Sequence, residues 1–213
     1  MHEKELLASL IAEELEIPTP EPALVKITDD FIQSLKGADK QRIEQLNTRT
    51  VFGSKYYETY SDFPLFLKAS QAKYINPETI FAFDVLIRNF DRRKIKPNLM
   101  IDGTDYICID HEHSLEVNKP FSSYRIETDW SGFTNANSCH LFYDYLKNKK
   151  TTDFAEFKEI FRTFNTRGLE NIRSTLISNN LETEELDTTL NYLESVLSQK
   201  ERFYQLLNIL VSQ

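Results

Sequence analysis

Three polar residues in one short stretch carry the clearest chemical signal of this chain: Asp91, Asn98 and Asp110. An aspartate, an amide a few residues on and a second aspartate past a short ribbon have the spacing that phosphoryl transfer needs. One carboxylate must take the proton of an acceptor hydroxyl while oxygen ligands hold magnesium on the phosphates. On this reading Asp91 is the base, and Asn98 and Asp110 are the metal ligands. The set is all oxygen, which suits a hard cation. The plain alternative is that Asp and Asn are turn formers flanking an ordinary hairpin.

The elements around these residues must bring them together. Asn76 as N-cap, Pro77 at the first position and Glu78 in the first turn predict a helix over 77–88, with Ile80, Phe83 and Ile87 facing inward. That helix delivers the chain to Asp91. Residues 98–101 and 106–109 alternate and turn at Asp102-Gly103, the mark of a tight hairpin. Strand pairing at about 4.8 Å sets Asn98 and Asp110 side by side at its open end, so the two can share one metal while Asp91 hangs from the preceding loop.

Other polar residues need weighing. Arg88, Arg92, Arg93, Lys94 and Lys96 make a basic loop able to hold a nucleotide or an acidic substrate. Arg92 is the candidate nucleotide contact, its alternative being a carboxylate partner that orders the loop. Lys55, after Gly53-Ser54, can reach a phosphate but lacks the glycines of a P-loop; its alternative is to dock two lobes. His111 and His113, two apart, have no third zinc ligand at motif spacing.

The rest reads as follows. Leu6, Leu7, Leu10, Ile11 and Leu15 give a first helix with one apolar face, stopped by Pro18 and Pro20. A strand at 23–27, polar helices over 29–47 and a loop at 52–57 come next. Helices follow at 138–148, at 153–164 with Thr152 as cap, and beyond Gly168. A pair or one long helix then runs through Leu186 to Leu210, with a break marked by Ser198 and Glu201. With 213 residues and 40% hydrophobic residues the chain can bury a sizeable core. A formal net charge of −8 argues against nucleic acid as a partner. Cys108 and Cys139 show no paired spacing and fit free thiols in a reducing cytoplasm. Acids interrupt the apolar runs of the first helix, which excludes a signal peptide, and no segment has the length of a membrane span.

The order of these blocks resembles the HipA-like branch of the protein-kinase-like fold. The similar residues are L-L-A-S-L-I-A-E-E-L-E-I-P-T-P-E-P-A-L-V at 6–25, F-G-S-K-Y at 52–56, F-D-V-L-I-R-N-F-D-R at 83–92, P-N-L at 97–99 and I-D-H at 109–111. The resemblance implies an α+β, mostly helical fold: a kinase-like C-lobe with a short catalytic hairpin and a truncated N-lobe. It implies one domain over 1–213, with 1–60 as residual N-lobe and connector and 61–213 as the helical C-lobe. It further implies ATP and Mg2+ as cofactors, a Ser/Thr protein substrate, Asp91 as catalytic Asp, and Asn98 and Asp110 as metal ligands. Six residues separate Asp91 from Asn98, where many kinases have four.

The front of the chain departs from the pattern. The glycines, Gly37, Gly53, Gly103, Gly132 and Gly168, form no G-x-G, and no strand Lys is in place to pair with Glu5, which falls where the family's helix Glu often stands. Two expectations follow: a kinase whose N-lobe is missing or separately encoded, or a non-catalytic pseudokinase or helical interaction module.

Overall fold

Leu7 and Ile11 are fully buried along the first helix, α1 (His2–Glu14), and Leu15 is fully buried just past its end. The helix ends before the prolines expected to stop it, because Glu16 adopts a left-handed φ of 54° and the Ile17 N–H closes onto the Ala12 carbonyl at 2.8 Å. The computed structural model describes residues 2–46, 48–65, 67, 73–125, 129–130 and 138–212. Residue 47, the predicted end of the polar helices, and Gly132 lie outside them.

β1 (Pro22–Lys26) pairs antiparallel with β2 (Thr50–Ser54), Lys26 opposite Thr50 and Pro22 opposite Ser54. The expected loop at 52–57 is thus corrected: Thr50, Val51 and Phe52 are strand formers. Gly53 lets the strands approach, since a Cβ there would meet Val25 Cγ2 at 2.9 Å. Between the strands stand α2 (Asp29–Ser34), capped by Thr28, and α3 (Gly37–Glu44).

α4 (Pro77–Leu86) has the predicted cap, with Asn76 Oδ1 accepting from the Thr79 N–H at 3.1 Å; such a cap contributes about 1 kcal/mol. The helix is buried all round rather than on one face, and packs against α5 (Tyr143–Lys147) and α6 (Ala155–Thr163). It stops at Leu86, short of 88, because Arg88 turns left-handed at φ 55°.

β3 (Ser61–Asp62), β4 (Leu99–Ile101) and β5 (Tyr106–Cys108) form an antiparallel sheet in that order, with Leu99 opposite Cys108 and Ile101 opposite Tyr106. The turn is longer than the predicted Asp102-Gly103 pair. It spans 102–105, with Asp102 Oδ1 accepting from the N–H groups of Thr104 and Asp105, both at 2.8 Å, and Gly103 supplying a φ of 97°.

The C-terminal helices are shorter than predicted. Of 138–148 only α5 is helical, since Leu141 N–H donates to the Arg92 carbonyl at 3.0 Å and His140 bridges to Arg93. Thr152 does not cap α6: its Oγ1 donates to the Leu146 carbonyl, and Asp153 Oδ1 accepts from Ala155 N–H. The helix beyond Gly168 is two, α7 (Arg167–Asn171) and α8 (Arg173–Ser178), meeting at Ile172. α9 (Glu184–Leu197) and α10 (Lys200–Ser212) break near the expected place, although Ser198 Oγ donates back to the Ser195 carbonyl instead of forming a capping box. Buried apolar side chains from Leu6 to Val211 join in one cluster, so α1, α4 and the C-terminal helices share a core beneath the hairpin. The fold is mixed α/β with small antiparallel sheets. Among the described residues no helix is long and apolar enough to cross a membrane.

Candidate active site at the open end of the hairpin

The loop from α4 to β4 folds back on itself before it reaches the hairpin. Arg93 N–H donates to the Lys96 carbonyl at 2.8 Å and Lys96 N–H to the Arg93 carbonyl at 3.0 Å, which puts Lys94 and Ile95 at the tip of a small turn. That turn takes up the extra length between Asp91 and Asn98. Asn98 Nδ2 therefore reaches Asp91 Oδ2 at 3.3 Å and the Asp110 carbonyl at 3.5 Å. Ile109 N–H donates to the Asn98 carbonyl at 3.0 Å, closing the hairpin just inside. Both flanking residues are left-handed, Asn98 at φ 46° and Asp110 at φ 59°. That conformation costs an ordinary L-residue about 1–2 kcal/mol, and Asn and Asp adopt it most readily.

One ammonium joins the two acids. Lys96 Nζ lies 2.6 Å from Asp91 Oδ2 and 2.8 Å from Asp110 Oδ2, while Arg93 holds the other Asp91 oxygen at 2.9 Å. The side chain of Asp91 is 12% exposed and that of Asp110 31%, so both line the mouth of the site. Burial alone would raise the pKa of Asp91. The hydrogen bond and charge of Lys96, with Asn98 and Arg93, outweigh it and hold the carboxyl below its ordinary value.

Beneath the mouth lies a sealed polar network. Arg92 is fully buried: its Nε donates to Asp84 Oδ2 at 2.7 Å, Nη1 donates to the Asn98 carbonyl, and Nη2 donates to His111 Nε2 at 3.0 Å. Asp84 also accepts from Asn89 Nδ2 at 2.9 Å and from His140 Nε2 at 3.0 Å. Burial opposes its charge, but Arg92 and His140 prevail and keep the carboxyl well below the usual range. His140 is driven down by burial, against the pull of Asp84. Its Nδ1 accepts from Phe142 N–H at 3.1 Å, so the ring is neutral with its proton on Nε2. The Asn89 side-chain oxygen accepts from Asp91 N–H at 3.1 Å, tying the candidate base to this network.

Arg92 is thereby corrected from a nucleotide contact to an internal brace, since none of its side chain is exposed. The basic run divides: Arg93 and Lys96 go to Asp91, Lys94 to Asp144 at 2.6 Å, and Arg88 lies over the rings of Tyr124 and Trp130. Lys55 pairs with Glu21 at 3.5 Å and stands over Tyr57. His111 and His113 do not converge: the first is buried on Arg92 and the second exposed beside Glu112. Sequence reasoning missed Asp84, His140 and the bridging role of Lys96. Asp84 had a readable signal, an acid between Phe83 and Val85 in an apolar helix, which burial obliges to find a cation.

A cavity of about 320 Å³ opens beside Asn98, lined by Phe63, Ile95, Lys96 and Ile109 among others. A larger one, about 860 Å³, lies away from the Asp91 cluster between Arg88, Lys119 and Glu184. The smaller cavity adjoins the residues able to do chemistry. Among the described residues no three His, Cys, Asp or Glu gather to hold a metal. The set at the hairpin is instead two carboxylates and an amide, and it already stabilises one cation, the Lys96 ammonium. These residues fit Mg2+ once the Asn98 amide turns its oxygen inward in place of Nδ2.

No curated protein matches the chain. The HipA-like kinase family model matches residues 2–206, and with that match over nearly its whole length the chain belongs to the HipA-like kinases.

Proposed function

We propose that this chain is an ATP- and Mg2+-dependent phosphotransferase of HipA-like kinase type, its site carried by a helical C-lobe over 61–213, that phosphorylates Ser or Thr on a protein in the cytoplasm. The observation that carries the reading is the convergence of Asp91, Asn98 and Asp110, from a loop and both ends of a hairpin, around one cation position. Family membership supports phosphoryl transfer as the class of reaction. Asp91, ionised at neutral pH, orients the acceptor hydroxyl and takes its proton. Asn98 and Asp110 would hold Mg2+, which would supply positive charge to the transferring phosphoryl group. The network of Asp84, Arg92 and His140 fixes the loop that carries the base, so positioning and electrostatics are built before substrate arrives.

Glu5 stands where the resemblance sets the helix Glu that pairs with a lysine: its Oε1 lies 3.6 Å from His111 Nδ1, next to Asp110, and among the described residues its buried Oε2 has no hydrogen-bond partner. The free thiols of Cys108 and Cys139 accord with the cytoplasm. The test is phosphate transfer from ATP with Mg2+, to added protein or to the chain itself, compared among the native chain, Asp91→Asn and Asp110→Asn. Transfer in the native chain alone supports the assignment. Equal transfer in all three overturns it, and no ATP binding even with an N-lobe supplied favours a non-catalytic interaction module.

A further inference from the structure

Lys96 contacts the carboxylates of both acids of the site: Asp91 Oδ2 lies at 2.6 Å and Asp110 Oδ2 at 2.8 Å from its Nζ. Two carboxylates brought to one point repel unless a cation lies between them. A divalent ion held by the same oxygens needs the place the ammonium fills. We propose that Lys96 is a placeholder cation, which holds Asp91 and Asp110 at ligand spacing in the unloaded protein and is displaced when a divalent ion enters. The inference rests on the reading of these acids as a metal site.

The surroundings suit displacement. Lys96 sits at the base of the turn whose tip is Lys94-Ile95, its side chain is 43% exposed, and its four-carbon stem can swing into solvent. When it leaves, Asp91 keeps Arg93 on its other oxygen, so the base is not stranded. Asn98 remains in place, because its carbonyl is tied to both Arg92 and Ile109 N–H. The ammonium thus opposes metal entry while preserving the geometry that the metal requires.

The experiment is a Mn2+ titration of the full chain without nucleotide, with free Mn2+ followed by electron paramagnetic resonance. Removing the competing charge in Lys96→Met should tighten Mn2+ binding by about tenfold or more, since unit charges a few ångströms apart interact strongly even at the protein surface. Adding Asp110→Asn to Lys96→Met should abolish the gain. Lys96→Arg, which keeps a cation, should stay near the native affinity, and melting curves confirm that each variant is folded. Equal Mn2+ affinity in the native chain and in Lys96→Met overturns the placeholder role while leaving the metal site standing. No Mn2+ binding in either overturns the metal reading and this inference together.

Discussion

Asp91 and Arg92 are adjacent in the chain, yet they serve two differently built regions. Asp91 faces the mouth, where its partners Lys96 and Arg93 are themselves 43% and 41% exposed. Arg92 points the other way into a network with Asp84, His140, His111 and the Asn98 carbonyl, where neither member of the ion pair is more than 1% exposed. Water screens the first set of charges and is shut out from the second. The mouth can therefore exchange its cation for another at small cost to the fold. The interior cannot lose a partner without stranding a buried charge. One loop thus separates what must change during function from what must not.

The largest effect should come from breaking the interior. Asp84→Ala leaves the Arg92 guanidinium unpaired and should cost about 3–5 kcal/mol, read as a lower denaturant midpoint. At the mouth, Asp91→Asn should leave that midpoint within about 1 kcal/mol of native while lowering phosphate transfer by about 10²–10⁴-fold. A collapse of stability in Asp91→Asn would erase the distinction between the two regions.

Acid sharpens the same contrast. The native pKa of Asp84 is depressed, so its contribution is fully present above the ordinary carboxylate value of about 3.9 and is lost as pH falls through the lower native value. Stability should fall on that acid limb, and Asp84→Asn should flatten it. Asp91 is depressed in the same sense, but its partners are half in water, so Asp91→Asn should change the limb little. The smallest effect belongs to Lys55→Ala, where an exposed pair at 3.5 Å is lost: a change within about 0.5 kcal/mol. A marked loss of nucleotide affinity in that variant would bring Lys55 into the site.

What the sequence makes legible follows from how distance is encoded. The hairpin itself is written in two alternating runs about Asp102-Gly103, but its register is not, because the turn spans 102–105 and sets Asn98 opposite Ile109, one residue short of Asp110. The cap at Asn76 is local chemistry and is readable. His140 meets Asp84 across 56 residues, a contact that no local period records. The basic run shows its charges but not their partners. The backbone reversal at 93–96 sends Lys96 to the acids, and burial behind α4 sends Arg92 to Asp84. The helix expected from 138 fails for a related reason: its first residues hydrogen-bond to the Asp91 loop instead of to one another.

The left-handed backbone at Asn98 and Asp110 sets stability against activity at these two positions. Glycine takes that conformation without steric penalty, so a library of variants selected for abundance alone should tolerate glycine best at Asp110, where the side chain is 31% exposed and bonded to a swinging lysine. Selection for a longer-lived protein would then discard the proposed metal ligand first. Lineages that abandon catalysis should keep Asp84 and Arg92 long after Asp110 has drifted, and that order of loss would tell a retired enzyme from a working one.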